Sequence, residues 1–447
     1  MVPNPGRRVR GVRGDSGYAR RHAVAESEEP GRAGADVNAA LVAGLEAGSV
    51  VVGGVMSGTS ADGIDVALFR PRFERAGGRT SLRELGLVAF ETRAFAPGLR
   101  ARLRALLDQP AGPDGPLVSL GELARFDAEL GSAFGGAARE VADAAGVSLG
   151  LVGSHGQTLW HHDGVGARAS LQLGDGDFVA AAAGCAVVSD LRAADLAAGG
   201  EGAPIGALLD PWLFAPAATE DLGVLNLGGF GNLSLFAGER LVHSFDTGPA
   251  GALLDHFARR LLGTDCDLDG AVAASGCADP ALAARWLALE VHGTSLARFV
   301  ARRPPKSSGR EAFGPAWAEA LLALAPGRSA ADLCATAVEL MAGSVAAALD
   351  LDLGAAPAQL FVAGGGVHHG ALMARLAARC GRPVHSSAAR GVDPDAREAL
   401  LFGLFAAAHL LHVTLPLGTD ERATPTGARR PTLLGKYSPA PPHVVRT

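Results

Sequence analysis

Residues 50–65 read VVVGGVMSGTSADGID, and residues 222–232 read LGVLNLGGFGN. Each opens as a β-rich apolar run and ends in a turn of small and polar residues. Ile64–Phe69 returns to a strand pattern, so the first stretch is a hairpin with a Gly/Ser/Thr/Asp tip. Leu233–Phe236 and Leu241–Phe245 continue the second stretch in the same way. Two β-meanders with glycine-rich tips, far apart in the chain, form a weak internal repeat and predict two lobes of similar origin. Short strands are also expected at Leu151–Gly153, Val187–Val188 and Leu360–Ala363. Helices are expected within 98–147, at Ala252–Leu262, at Asp332–Leu349 and from Gly370 to Cys380. Strands alternating with helices give an α/β class, and the meanders make each sheet mixed.

The 447 residues suggest two or three domains. Residues 1–46, basic and then acidic, show no periodicity and read as a disordered extension. The first lobe is expected over 47–220 and the second over 221–435. Residues 418–447 are rich in Pro, Gly and Thr and read as extended, with 436–447 a tail. At 48% hydrophobic and 19% charged residues there is ample core and no disordered or coiled-coil composition. A net charge of −6 gives no reason to expect nucleic acid as partner. Five scattered cysteines, none spaced C-x-x-C, argue against a disulfide framework or zinc site and fit a reducing compartment. No signal peptide is visible. The apolar stretch 399–417 carries His409, His412 and a proline, so a buried helix is expected rather than a membrane span. A cytoplasmic location follows as the expectation.

Triphosphates need many donors at close range, and glycine-rich turns supply backbone N–H groups. No G-x-x-x-x-G-K-[ST] is present, so a P-loop is excluded. The turns at Ser57–Asp65 and Gly228–Asn232 are candidates instead, with Asp62 and Asp65 able to hold Mg²⁺ directly or through water. GGG at 364–366 does not complete G-x-G-x-x-G and lacks the acidic partner a dinucleotide site wants. The histidines at 155, 161, 162, 368 and 369 match no H-E-x-x-H spacing, so no metal centre is expected from them.

VMSGTSADGID (55–65), GSHGQT (153–158), LQLGDG (171–176), VVSDLRAADLAAGGEGAP (187–204), NLGGFGN (226–232), FDTGP (245–249), PPKSSGRE (304–311) and VAGGGVHHGALM (362–373) occur in this order. From about Val50 to Gly435 the chain resembles the anhydro-N-acetylmuramic acid kinase family. The resemblance implies the actin/hexokinase/Hsp70-like superfold, with two ribonuclease-H-like lobes and an interlobe cleft. It implies ATP and Mg²⁺ as cofactors and 1,6-anhydro-N-acetylmuramic acid as substrate. The anhydro bridge would be opened by water and O6 phosphorylated during cell-wall recycling. A homodimer is compatible with the sequence, which leaves oligomeric state open.

The resemblance also implies roles for single residues. Asp190 matches the general base that takes the water's proton. Its other reading is a cap for the segment 191–197. Gly58, Thr59, Ser60, Ala61, Asp62, Gly63, Ile64 and Asp65 match the first phosphate hairpin. Gly228, Gly229 and Asn232 match the second, and Gly364, Gly365 and Gly366 the adenosine-side turn. His155, Gln157 and Thr158 match a sugar-side loop, with Arg192 close to the base. Asp246, Thr247 and Gly248 match a turn near the cleft. Glu398 matches a carboxylate near the sugar, or is an ordinary first-turn helix residue. Lys306 reads equally as a phosphate contact or a solvated loop lysine. Glu201, Leu191, His369 and Gly251 depart from the family pattern, where Gln, Phe, Asn and Asn are usual. These departures bear on sugar specificity. Two other readings stay open: a kinase of the same superfold acting on another sugar or acid, and a non-catalytic sugar sensor or assembly protein.

Overall fold

In the computed structural model, the residues described are 30–58, 61, 63–107, 109, 116–161, 168–214, 220–291, 293–417 and 424–441. The first repeat becomes an antiparallel meander of β1 (Val51–Ser57), β2 (Ile64–Ala76) and β3 (Arg79–Arg93). β4 (Leu149–His161) runs parallel to β1 and carries a short antiparallel partner, β5 (Ser170–Leu173). β6 (Ala186–Ser189) runs parallel to β4. The second repeat is the meander β7 (Leu222–Leu227), β8 (Phe230–Ala237) and β9 (Arg240–Pro249). β10 (Gln359–Ala363) lies parallel to β7, and β11 (Val384–Ser386) parallel to β10. Both sheets therefore share one order, with the third, second and first meander strands followed by two parallel strands. This is the ribonuclease-H-like arrangement, present twice.

The chain's ends depart from the sequence reading. Residues 1–46 were expected to be irregular, but a helix spans Pro30–Ala47 and buries Leu45. Residues 1–29 lie outside the described residues. The expected tail from 436 contains β12 (Lys436–Ser438), which pairs antiparallel with β6. The segment ahead of it is packed in, with Thr424, Thr426, Ala428 and Leu434 buried. β3 has no counterpart in the sequence reading, because most of its residues are partly exposed and its apolar alternation is weak.

The helix Arg397–Leu410 is buried as expected, but it does not stay with the second sheet. It crosses back and lies on β1 and β4. Glycine permits this contact: a Cβ at Gly54 would sit 1.7 Å from the Ala399 carbonyl oxygen, and one at Gly153 would sit 1.9 Å from that of Phe402. Its apolar residues share one core with Val52, Phe69 and Leu151 of the first sheet and with Val224, Phe236 and Phe361 of the second. The first lobe is thus completed by the end of the chain. The helix Ala330–Leu349 is long and apolar enough to cross a membrane. Its apolar residues instead form the middle of the second lobe's core with Trp286, Phe257 and Leu360.

Candidate active site between the two sheets

A cavity of about 410 Å³ opens where the tips of the two meanders face each other. Asp65 and Thr92 line it from the first sheet, and Asn226, Gly228, Gly364 and Gly365 from the second. Asp395 and Glu398 close it at the start of the crossing helix. Asp65 accepts a 2.6 Å hydrogen bond from Thr92 Oγ1. Burial nevertheless raises its pKa, the Thr92 bond opposes the rise, and the nearby Asp395 adds to it. Glu398 Oε1 accepts from Asn226 Nδ2 at 2.8 Å, so this first-turn glutamate is turned into the cavity, across to β7. Asn226 Oδ1 and, at the tip of β1, Ser57 Oγ are buried without a protein partner.

The glycine turns are held from behind. The Ala250 and Ala252 amides donate to the Gly229 carbonyl, and the Gly251 amide donates to that of Gly228. A Cβ at Gly251 would lie 2.9 Å from the Gly228 oxygen. The departure at Gly251 therefore sits where close backbone approach favours glycine. At the first hairpin the Ala61 amide donates to the Gly58 carbonyl at 3.0 Å, with Ala61 at φ 50°. Gly63 and Ile64 are buried beside it. Thr59, Ser60 and Asp62 lie outside the described residues. Gly366 follows the two cavity glycines in the turn after β10.

His155, Gln157 and Thr158 lie on the long strand β4 and not on a loop. The Gln157 amide donates to the Gly58 carbonyl at 3.3 Å, tying this strand to the first hairpin, and its Oε1 has no protein partner. Thr158 Oγ1 accepts from Gln172 at 3.4 Å. His155 is buried, its ring tilted against that of Phe402 at 4.5 Å between centroids, with Nδ1 3.0 Å from the Gly156 carbonyl. Arg192 Nε and Nη2 reach its Nε2 at 3.1 and 2.9 Å. The ring is therefore neutral, donating from Nδ1 and accepting at Nε2. Burial, then the Arg192 charge, lowers its pKa to about 3. Arg192 itself is lowered to about 10 by burial, opposed by Glu398 and Asp195. That coupling sets the His155–Arg192 pair beside Glu398.

A buried His with a depressed pKa takes its proton first in the unfolded chain. Its contribution to stability is full above about pH 6.5 and is lost as pH falls toward 3. At pH 5 the loss is on the order of 2 kcal/mol. The denaturant midpoint should thus fall between pH 7.5 and pH 5 in the wild type, and fall less in His155→Gln. Equal falls would mean that His155 is not buried neutral.

Asp190 follows β6 at φ 50°. The short helix Ala193–Ala197 is preceded by Arg192 and has no side-chain cap, so the capping reading of Asp190 does not hold. Its Oδ2 lies 2.5 Å from Lys436 Nζ on β12. Next to it, Asp195 is buried, accepting from the Gly202 amide at 2.8 Å and from Thr426 Oγ1 at 2.6 Å. Glu201, the added carboxylate, pairs with Arg168 at 3.0 Å.

Other sequence expectations fall elsewhere. Asp246 does not line the cavity; it accepts from Asn232 Nδ2 at 3.1 Å and from the Ser308 amide at 2.8 Å. Thr247 and Gly248 continue the same strand, buried. Lys306 is not solvated: it is buried and donates to the Val300 and Phe299 carbonyls at 2.7 and 3.3 Å. Burial lowers its pKa to about 8. Among the described residues no three His, Cys, Asp or Glu side chains gather as a metal site. His369 caps the helix Gly370–Cys380 by accepting the Leu372 amide at Nδ1, 3.2 Å. This is the work an asparagine does at that position. His369→Asn should change stability by less than about 1 kcal/mol, and His369→Ala should cost about 1 kcal/mol. Thermal unfolding of the two variants checks this; equal losses would remove the cap.

Asn226, Thr92, Asp395 and Lys436 were not singled out by sequence reasoning. Asn226 stands inside a quoted motif, as a polar residue ahead of glycines, and Asp395 lies two residues before the helix that begins at Arg397. Thr92 and Lys436 carry no local signal.

Residues 50–440 match the model of the family described as anhydro-N-acetylmuramic acid kinase. The chain belongs to that family. An anhydro-N-acetylmuramic acid kinase of Xanthomonas axonopodis pv. citri (strain 306) is 42% identical over 392 residues, covering 87% of this chain and 97% of the relative. The kinases of the same description from Rhodospirillum rubrum and Pseudomonas putida are 40% and 38% identical. They cover 88% and 87% of this chain, and 95% and 99% of the relatives. The family match begins at β1 and runs past β12, so both sheets and the returning helix belong to it.

Proposed function

We propose that this chain is an ATP-dependent kinase that opens 1,6-anhydro-N-acetylmuramic acid with water and phosphorylates O6, yielding N-acetylmuramic acid 6-phosphate and ADP for cell-wall recycling. The observation that carries this reading is the cavity where Gly228, Gly364 and Gly365 meet Asn226 and Glu398, opposite Asp65, in a chain of this family. In the balanced reaction, water oxygen bonds to C1 as the C1–O6 bond breaks. O6 bonds to the γ-phosphorus as the bond to ADP breaks. The water's proton passes to a carboxylate, the role assigned here to Asp190.

The residues present fit ATP. Gly228 supplies backbone from the second meander and Gly364 and Gly365 from the turn after β10, opposite Asp65 and Thr92 of the first sheet. Asn226 lines the cavity, and its Oδ1 has no protein partner, which leaves polar capacity there. ATP supplies the electrophilic phosphorus and the leaving group. Asp65 and Asp395 would hold Mg²⁺, which neutralises charge on the phosphates; the mutual repulsion of these carboxylates fits a cation between them. His155 and Arg192 shape the sugar side, with Glu398 linking it to the phosphate side. The Arg168 pair compensates Glu201, which fits retention of an anionic sugar. An ATP-consuming role and the unpaired state of all five cysteines fit a cytoplasmic enzyme.

The test is incubation with Mg²⁺, ATP and the anhydro-sugar, recording ADP and product mass. A product heavier by one water and one phosphoryl group is expected. A product heavier by the phosphoryl group alone would make it a plain sugar kinase. No sugar-dependent ADP release would reject the substrate.

A further inference from the structure

Of the chain's 40 basic residues only two are lysines, Lys306 and Lys436. Lys306 is accounted for by the carbonyls it caps. Lys436 puts its ammonium 2.5 Å from Asp190 Oδ2. The two side chains are 73% and 32% exposed, and such a pair contributes only about 0–1 kcal/mol to stability. Stability alone therefore does not account for the contact.

The fold nevertheless holds Lys436 in place. β12 lays it opposite Ser189, one residue before Asp190. Gly435, at φ 92°, lets the strand approach: a Cβ there would lie 2.4 Å from Val188 Cγ1. Tyr437 then donates from its hydroxyl to Asn38 Oδ1 at 2.6 Å, anchoring β12 to the helix Pro30–Ala47. At the other end of the contact, Asp190 adopts a left-handed backbone conformation that is uncommon for a residue other than glycine. Backbone strain of this kind clusters at functional sites.

We propose that Lys436 is a positioning residue for Asp190. Its ammonium fixes Oδ2 and so turns Oδ1 toward the attacking water. This rests on the reading of Asp190 as the base. The C-terminal strand, expected to be a tail, would then be part of the catalytic apparatus.

The test uses the full chain with ATP, Mg²⁺ and the anhydro-sugar, and compares Lys436→Met, Lys436→Arg, Asp190→Asn and the Asp190→Asn/Lys436→Met double variant. Losing a hydrogen bond to a charged group should lower kcat about ten- to a hundredfold in Lys436→Met. KM for ATP should stay within about twofold, and Lys436→Arg should recover most of kcat, which a general loosening of β12 would not predict. In the Asp190→Asn background, Lys436→Met should cost nothing further, because its target is gone. Wild-type kcat in Lys436→Met, or an undiminished further loss in the double variant, overturns the proposal while leaving Asp190 as base. Near-normal turnover in Asp190→Asn removes the base reading, and this proposal with it.

Discussion

Asp190→Asn is expected to bind ATP as the wild type does and to lose turnover by at least about a hundredfold. Asparagine is the informative substitution because of the backbone. Asp190 sits at φ 50°, a conformation that asparagine adopts more readily than most residues, so the turn after β6 should survive. The change removes the carboxylate's ability to accept a proton and, with its charge, the ion pair to Lys436. Asp190 caps no helix, so no secondary structure depends on its charge. The cavity between the sheets is built from other residues, and Asp190 does not line it. Calorimetric titration with a non-hydrolysable ATP analogue and turnover by ADP release give the two readouts. Near-normal turnover would remove Asp190 from the mechanism. Loss of ATP binding would mean that the substitution disturbs the fold between the lobes.

Arg397→Met should destabilise the protein by about 3–5 kcal/mol. Arg397 and Asp210 form an ion pair through Nη2 and Oδ1, both residues buried. Ser234 of β8 donates to the other carboxylate oxygen at 2.9 Å. Asp210 begins the short helix Asp210–Leu213 ahead of the second sheet, and Arg397 begins the helix that returns from it. The pair therefore joins both crossings to the second meander. Removing the guanidinium leaves a buried carboxylate with a single hydroxyl partner. Burial already raises the Asp210 pKa, and Arg397 is the foremost influence opposing that rise. A raised folded-state pKa means that the folded protein holds the proton more tightly. The penalty in the variant should thus be smaller at pH 5 than at pH 7.5. Denaturant midpoints at the two pH values test this. Adding Asp210→Asn should recover part of the loss, because the buried charge is then gone. A loss below about 1 kcal/mol at pH 7.5 would show that the pair does not hold the crossings.

The sequence by itself determined the repeat. Apolar runs ending in glycine-rich tips are local signals, because strand alternation and turn chemistry are written in neighbouring residues. The meander strands at Val51–Ser57 and Phe230–Ala237, the helix Ala330–Leu349 and the turn after β10 were all legible for that reason. Motif order was likewise enough to indicate the family. What the tertiary structure decided were contacts between residues distant in sequence. Asn226 meets Glu398 across 172 positions, Asp210 meets Arg397 across 187, and Thr426 reaches Asp195 across 231. No period or spacing encodes such pairs; they exist because the last helix crosses back onto the first sheet. The same crossing carries the chain's end to β6, turning an expected tail into the strand that holds Lys436 against Asp190. His369 shows the converse. It looked like a departure bearing on specificity, yet in place its ring nitrogen caps a helix, because backbone geometry requires an acceptor there and imidazole supplies one.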